Sequence, residues 1–195
     1  MTTTREFWDA QAPTFDDEPD HGLRDPAVRR AWADLLLPRL PESASVADLG
    51  CGTGTLAVLL GEAGHRVCGV DLAARMVAAA REKAAAAGVP AEFVVSDAAT
   101  PLWAPGTFDV VLSRHVLWAM QDPEEALRRW LELLRPGGVL LLVEGRWRTG
   151  AGLSSADVIE LLCRHRSEAT VEQLDDPILW GRAIDDERYL LTSRR

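Results

Sequence analysis

Cysteine is scarce in this chain: only Cys51, Cys68 and Cys163 occur among its 195 residues. An odd number of thiols speaks against a disulfide framework, and their positions lack the spacing of metal ligands. We therefore expect reduced thiols in a cytoplasmic protein that holds no metal.

Long apolar runs and an excess of positive charge are also missing. No apolar run approaches the roughly 20 residues that a membrane-spanning helix needs, and the polar start M-T-T-T-R-E is not a secretory signal. Lys and Arg number 21 against 30 Asp and Glu, which gives a net charge of −9. Because phosphate contacts need clustered Lys and Arg, the composition predicts neither a nucleic-acid nor a membrane partner.

The composition that is present, 47% hydrophobic and 26% charged residues, is typical of one globular domain. Short apolar stretches alternate with helical patterns, which predicts a parallel sheet covered by helices on both faces. The first five predicted strands cover 45–49, 66–70, 91–95, 108–112 and 139–143. The predicted helices around them cover 26–40, 53–63, 73–87 and 123–135.

The last part of the chain departs from this alternation. A predicted helix at 154–165 precedes two short strands at 170–174 and 188–192. These strands are too close in sequence for a helical crossover, so we expect them to form an antiparallel pair at the edge of the sheet.

A glycine-rich stretch follows the first strand, where residues 46–60 read V-A-D-L-G-C-G-T-G-T-L-A-V-L-L. Glycine accepts positive φ and lets a ligand approach the backbone, and ligands of open α/β sheets bind at the carboxyl ends of strands. The spacing is G-x-G-x-G, whereas dinucleotide sites have G-x-G-x-x-G. Asp48 would repel a diphosphate and would suit a cationic ligand, so a nicotinamide-dependent oxidoreductase is the less favoured alternative.

Aspartates lie at or near the ends of the first three predicted strands: Asp48, Asp71 and Asp97. A single Asp after a strand is most often a helix cap or a turn residue. Three at successive ends of parallel strands would meet at one rim of the sheet, which indicates a cofactor site. Asp71 is placed to accept hydrogen bonds from both hydroxyls of a ribose, as in dinucleotide folds.

Three motifs resemble those of the class I S-adenosylmethionine-dependent methyltransferases, in particular the small bacterial enzymes that act on small molecules. They are D-L-G-C-G-T-G at 48–54, G-V-D-L at 69–72 with Met76, and S-D-A at 96–98. The resemblance covers about residues 45–145. It implies a Rossmann-like α/β fold, with a seven-stranded, mostly parallel sheet, an antiparallel edge strand and helices on both faces. It also implies S-adenosylmethionine as cofactor and S-adenosylhomocysteine as product. The cofactor-binding residues it implies are Asp48, Gly50, Cys51, Gly52, Thr53, Gly54, Asp71, Leu72, Met76, Ser96, Asp97, Ala98 and Arg114.

The methyl acceptor in this family lies near the end of the fourth strand and beneath the N-terminal segment. Methyl transfer depends mainly on positioning and on exclusion of water, and a general base is needed only when the acceptor must lose a proton early. The candidate bases are His115 and His21, with ordinary structural histidines as the alternative. The candidate substrate residues are Trp8, Trp118, Glu144 and Trp147, although tryptophan also fills cores. Alternatively, Arg114 contributes only its backbone to cofactor binding.

The predicted organisation is a single domain, with an N-terminal helical lid or cap at 1–44 and a methyltransferase core at 45–195. The predicted function is methyl transfer to N, O or C of a small-molecule acceptor by a monomer or homodimer. Two alternatives stay open, a protein that binds S-adenosylmethionine without transferring methyl and an NAD(P)-dependent oxidoreductase. Trp180 and the D-D-E-R-Y run at 185–189 resemble a subset of small bacterial methyltransferases, but the sequence assigns them no chemical role.

Overall fold

A seven-stranded sheet organises the part of the chain that the computed structural model describes, residues 4–194. Its strands are β1 (Ser45–Leu49), β2 (Arg66–Asp71), β3 (Glu92–Val95), β4 (Phe108–Arg114), β5 (Leu134–Arg146), β6 (Thr170–Gln173) and β7 (Glu187–Arg194). They lie in the order β3-β2-β1-β4-β5-β7-β6. Residues 1–3 of the predicted lid and residue 195 of the predicted core fall outside the described residues.

The strand directions confirm the predicted sheet. β1 to β5 run parallel to one another, whereas β7 is antiparallel to both β5 and β6. The predicted antiparallel pair therefore forms, with the reversed β7 second from the edge and β6 outermost. The short β6 has mostly exposed side chains, which suits an edge strand, while β7 is largely buried.

Helices cover both faces of the sheet. They are α1 (Thr4–Gln11), α2 (Pro19–Gly22), α3 (Pro26–Leu36), α4 (Thr55–Glu62), α5 (Ala74–Ala87), α6 (Pro123–Glu132), α7 (Ser155–Cys163) and α8 (Pro177–Trp180). Local chemistry fixes several starts: Asp25 accepts a hydrogen bond from Ala27 N at 2.7 Å, and Asp122 accepts one from Glu125 N at 3.0 Å. None of the helices in residues 4–194 has the length and apolar composition needed to cross a membrane.

Several predicted helix bounds differ from the observed ones, and three of the differences have a clear local cause. α3 ends at Leu36, and a 3-10 turn at Leu37–Arg39 follows it because Pro38 cannot continue the hydrogen bonding. α6 ends at Glu132 because Leu134 already pairs with Phe108 in the sheet, ahead of an irregularity in the register. α4 begins at Thr55 because Gly52 and Gly54 have positive φ and lie outside the helix.

The two faces of the sheet carry separate hydrophobic cores, because successive strand residues point to opposite sides. Val46 of β1 belongs to the core with α3, α4 and α5, where Trp32 is fully buried. Its neighbour Ala47 belongs to the core with α6 and α7, where Trp130 is fully buried. With both faces covered, the rim at the carboxyl ends of β1, β2 and β4 is where a cavity opens.

Candidate functional site

A cavity of about 820 Å³ lies at this rim, with residues 4–22, here called the cap segment, along one side. It is lined by most of the residues that the sequence proposed. These are Trp8, His21, Asp48, Gly50, Cys51, Asp71, Leu72, Met76, Asp97, Ala98, Arg114, His115, Trp118 and Trp147. The proposed residues that do not line it are Gly52, Thr53, Gly54, Ser96 and Glu144.

Asp48, near the end of β1, is a buried carboxylate at the cavity wall. The residue is 3% exposed, and its Oδ2 has no hydrogen-bond partner among residues 4–194. Burial raises the pKa of Asp48 to about 7, although the nearby Arg114 guanidinium opposes the rise. A buried carboxylate oxygen without a partner is costly in an empty site and is suited to a cation or a hydrogen-bond donor.

The glycine loop after β1 is held by backbone hydrogen bonds to β2. The N–H groups of Gly50 and Cys51 donate to Val70 O at 2.8 and 2.9 Å. A Cβ on Gly50 would lie 2.3 Å from the Val116 side chain, and one on Gly54 would lie 2.8 Å from the Ala80 Cβ. The sequence argument for these glycines was positive φ and ligand approach. All three loop glycines have positive φ, and the space where a Cβ would lie on Gly50 or Gly54 is taken by the protein's own side chains.

Asp71, at the end of β2, both braces this loop and lines the cavity. Its Oδ2 accepts a hydrogen bond from Gly52 N and its Oδ1 accepts one from Ala73 N, both at 2.9 Å. Carboxylate oxygens can each accept a further bond, so ligand hydroxyls remain possible partners. Asp97 also lines the cavity, where it accepts a bond from Ala99 N at 2.8 Å as an ordinary turn residue does.

His115 follows β4 in a backbone conformation that non-glycine residues rarely adopt, with φ +59°. Its N–H donates to Val143 O at 2.8 Å, and its ring stacks on Trp180 with centroids 5.8 Å apart. Nε2 is buried without a hydrogen-bond partner in the described chain. Burial, together with the positive charges of Arg114 and Arg188, holds the pKa of His115 well below 6.5. The imidazole is therefore neutral at pH 7 and has a lone pair to offer.

His21 reaches the same end of the cavity from α2. Its ring stacks on Phe15 with centroids 4.2 Å apart, and its Nε2 lies 3.6 Å from Asp20 Oδ2. Its Nδ1 is buried without a partner in the described residues, and burial lowers the pKa of His21 even though Asp20 opposes this. The structure thus brings together the two histidines that the sequence proposed as bases.

Glu144 is inside the protein instead of at the substrate position that the sequence proposed. Its Oε1 accepts hydrogen bonds from Val116 N at 2.9 Å and Leu117 N at 2.7 Å. The side chain therefore holds the segment after β4, and burial raises the pKa of Glu144 to about 8. Strand-end position alone gave the wrong direction for this side chain.

The cap segment is tied to the sheet by charged and polar contacts. Asp16 Oδ2 lies 2.7 Å from Lys83 Nζ, and Asp16 Oδ1 accepts a bond from Thr53 Oγ1 at 2.5 Å. The Arg114 side chain donates to the carbonyl oxygen of Asp20, so its role extends beyond its backbone. Thr53 therefore anchors the cap segment and does not face the cavity.

Residues of the C-terminal part complete the cavity, and the sequence assigned none of them a role. The Arg188 guanidinium lies 4.9 Å from the Trp147 ring centroid and 5.5 Å from that of Trp180. Its Nη1 is 2.7 Å from Asp186 Oδ1. The register pairs Arg188 with Gly145, where a Cβ would lie 2.8 Å from Arg188 Cδ. Gly145, a small residue within β5, leaves the space that the Arg188 side chain occupies.

Comparison with known proteins agrees with this geometry. A family model described as a methyltransferase domain matches residues 47–142. A demethylmenaquinone methyltransferase of Thermus thermophilus is 38% identical over 118 residues, which cover 60% of this chain and 53% of the relative. A ubiquinone biosynthesis O-methyltransferase of Xanthomonas campestris is 33% identical over 139 residues, which cover 70% and 54%. The chain thus matches about half the length of these two curated relatives.

A solved structure supports the fold. The 1,6-didemethyltoxoflavin-N1-methyltransferase of Burkholderia thailandensis, solved with 1,6-didemethyltoxoflavin and S-adenosylhomocysteine, superposes with a TM-score of 0.70. It is 21% identical, and the match covers 97% of this chain and 87% of the other. With this fold, the glycine loop and the matched domain, the chain belongs to the class I S-adenosylmethionine-dependent methyltransferase family.

Proposed function

We propose that the chain binds S-adenosylmethionine beside the glycine loop and transfers its methyl group to a small molecule held between the two histidines and the tryptophans. The observation that carries this proposal is the buried Asp48 carboxylate, which lines the cavity and has one oxygen without a partner in the described residues. An anion at this point fits a ligand with an ammonium and a sulfonium group. It does not fit a dinucleotide, whose diphosphate would meet the carboxylate.

The other residues of the first three strand ends fit the remaining parts of the cofactor. Asp71 would accept the ribose hydroxyls, and Leu72 and Met76 would lie against the adenine ring. Asp97 and Ala98 would meet the adenine amino group. A cavity of about 820 Å³ is in the upper range of ligand pockets, so it has room for a cofactor and a small acceptor together.

The acceptor end of the cavity is built for positioning and for proton removal. When bound, S-adenosylmethionine supplies a methyl group on a cationic sulfur. Neutral His115 would take the proton that an O–H or N–H acceptor loses, at its unpartnered Nε2. Trp118 and Trp147, whose ring centroids are 5.2 Å apart, would hold a planar acceptor and keep water away.

The cap segment is the proposed cover of this site. Trp8 and His21 line the cavity from it, and Lys83 and Thr53 hold Asp16 in place. A monomeric or homodimeric state and a cytoplasmic location stay predictions from the sequence.

Transfer of label from methyl-labelled S-adenosylmethionine tests the activity. The protein is incubated with phenols, hydroxyquinones, heteroaromatic amines and aliphatic amines, and S-adenosylhomocysteine is quantified in parallel. Acceptor-dependent release of S-adenosylhomocysteine together with a methylated product supports methyl transfer. Cofactor binding without turnover on any acceptor class would favour a protein that only binds S-adenosylmethionine.

A further inference from the structure

We propose that Asp20, His21 and His115 bind one divalent transition-metal ion, of the type represented by Zn²⁺, at the acceptor end of the cavity. The sequence predicted no metal, because its cysteines lack the spacing of metal ligands and His115 is far in sequence from Asp20 and His21. The fold brings them together, since α2 of the cap segment lies beside the loop after β4.

The geometry of the three side chains is that of a ligand set. One ligand atom of each residue lies within 4.8 Å of the others. His21 Nδ1 and His115 Nε2 are buried and have no hydrogen-bond partner in residues 4–194. Asp20 is 7% exposed, and its Oδ2 lies 3.6 Å from His21 Nε2, which is longer than a hydrogen bond. Two imidazoles and a carboxylate thus lie close enough to share one ion, and the buried His115 Nε2 has no partner in the described residues.

Each ligand is held in place by its surroundings. His115 keeps its positive φ because its N–H bonds to Val143 O and because Glu144 holds the following residues. Strain of this kind persists only where the surrounding structure enforces it, and it is concentrated at functional sites. Ring stacking of His115 on Trp180, and of His21 on Phe15, fixes both imidazoles.

The chemistry of the donors suits a transition metal. Two imidazole nitrogens and one carboxylate oxygen are ligands typical of Zn²⁺, Fe²⁺ and Ni²⁺. Metal binding needs a histidine nitrogen with a free lone pair, and His115 Nε2 has no hydrogen-bond partner in the described residues. Arg114 and Arg188 lie close enough to oppose a cation, but Arg188 Nη1 is 2.7 Å from Asp186 Oδ1, and the Asp20 carboxylate lines the same cavity.

Three protein ligands leave an open coordination position toward the cavity. With an ion bound, the His115 nitrogen would be a metal ligand and would not act as the base. The ion would bind a hydroxyl or carboxylate oxygen of the acceptor and orient it, as catalytic metals do. This consequence for the acceptor rests on the proposed methyl transfer, whereas the ion site itself does not.

The test uses the whole chain after treatment with a chelator. Co²⁺ is titrated while visible absorption is recorded, and Zn²⁺ is titrated by calorimetry. We expect one equivalent to bind, with Co²⁺ bands in the visible range. His21→Ala and His115→Asn should each weaken binding about tenfold or more. Asn is chosen at position 115 because it tolerates positive φ. His165→Ala is the matched control, since His165 lies beside Glu124 outside the cavity and should change nothing.

Two results would overturn the metal site: absence of stoichiometric binding to the wild-type chain, or equal binding by a folded His21→Ala, His115→Asn double variant. Thermal unfolding and a titration with S-adenosylmethionine accompany every variant. Metal binding without cofactor binding would contradict the proposed function alone, and cofactor binding without metal binding would contradict the metal site alone.

Discussion

Asp48 shows how a single residue connects the packing of the sheet to ligand choice. It is buried near the end of β1, yet it lines the cavity and has one carboxylate oxygen without a partner in the described residues. Burial raises its pKa to about 7, so near neutral pH the free protein holds this group in both protonation states. A cationic ligand favours the ionised form, which makes ligand affinity depend on pH.

The first prediction concerns this pH dependence. Below the folded pKa of about 7 the ligand must displace a proton from Asp48, so affinity for S-adenosylmethionine should fall by up to about tenfold per pH unit. Above that pH it should level off. Calorimetric titrations of the wild-type chain and of Asp48→Asn measure this affinity at steps of about one pH unit between about pH 5.5 and 8.5. Asp48→Asn should bind weakly at every pH with a flat profile; a parallel decline in both proteins would show that another group titrates.

The second prediction concerns the glycine loop. Gly50 and Gly106 have similar backbone conformations, with φ +76° and +70°, but only at Gly50 would a Cβ meet a neighbour, Val116 at 2.3 Å. Gly50→Ala should therefore lower the free energy of unfolding by about 1–3 kcal/mol more than Gly106→Ala. Chemical denaturation of the two variants measures the difference. Equal losses of unfolding free energy would mean that the positive φ alone requires glycine at position 50 and that the Val116 side chain moves aside.

At the scale of elements, the cap segment joins the cofactor end of the cavity to the acceptor end. Asp16 holds it to α5 through Lys83, while Asp9 accepts a hydrogen bond from Arg75 N at 2.8 Å. α3 then packs into the core through Trp32. The cap segment is thus attached by polar contacts, and α3, which follows it in the chain, is attached by apolar contacts in the core.

The third prediction tests this attachment. Lys83→Met removes the ion pair to Asp16 and keeps the apolar stem, so it should loosen the cap segment and speed its cleavage in limited proteolysis. Arg30→Met is the control, because Arg30 pairs with Asp34 on the exposed face of α3 and should not alter the rate. Mass spectrometry locates the cuts. Identical cleavage of the two variants within residues 4–22 would contradict a role for Lys83 in holding the segment.

Elements with a strong local pattern were predictable from the sequence, and so were site residues attached to them. Asp48 and Asp71 follow apolar strands, and in a parallel sheet that position alone brings them to one rim. Arg188 was missed because its place depends on the pairing of β7 with β5, and Trp180 because its place depends on packing against Trp32 of α3; no local pattern encodes either. Glu144 was misplaced for a related reason: its direction is set by the backbone N–H groups of the segment after β4.

At the scale of the molecule, the cavity has two chemically different ends. The glycine-loop end carries Asp48 and Asp71, and the other end carries two histidines that burial keeps neutral. The sheet supplies the first end through its parallel strands, and the second is supplied by the cap segment, the segment after β4 and the C-terminal part of the chain. This division matches a family whose cofactor site is shared and whose acceptors differ.

The most direct test of the account is calorimetric titration of the purified chain with S-adenosylmethionine, S-adenosylhomocysteine and NADH, with Asp71→Ala alongside the wild-type protein. We predict micromolar binding of the first two ligands to the wild-type chain and none of NADH. Asp71→Ala should weaken binding by about 1.5–3 kcal/mol for each charge-assisted hydrogen bond lost. Binding of NADH, or of none of the three ligands, would contradict the assignment of this cavity.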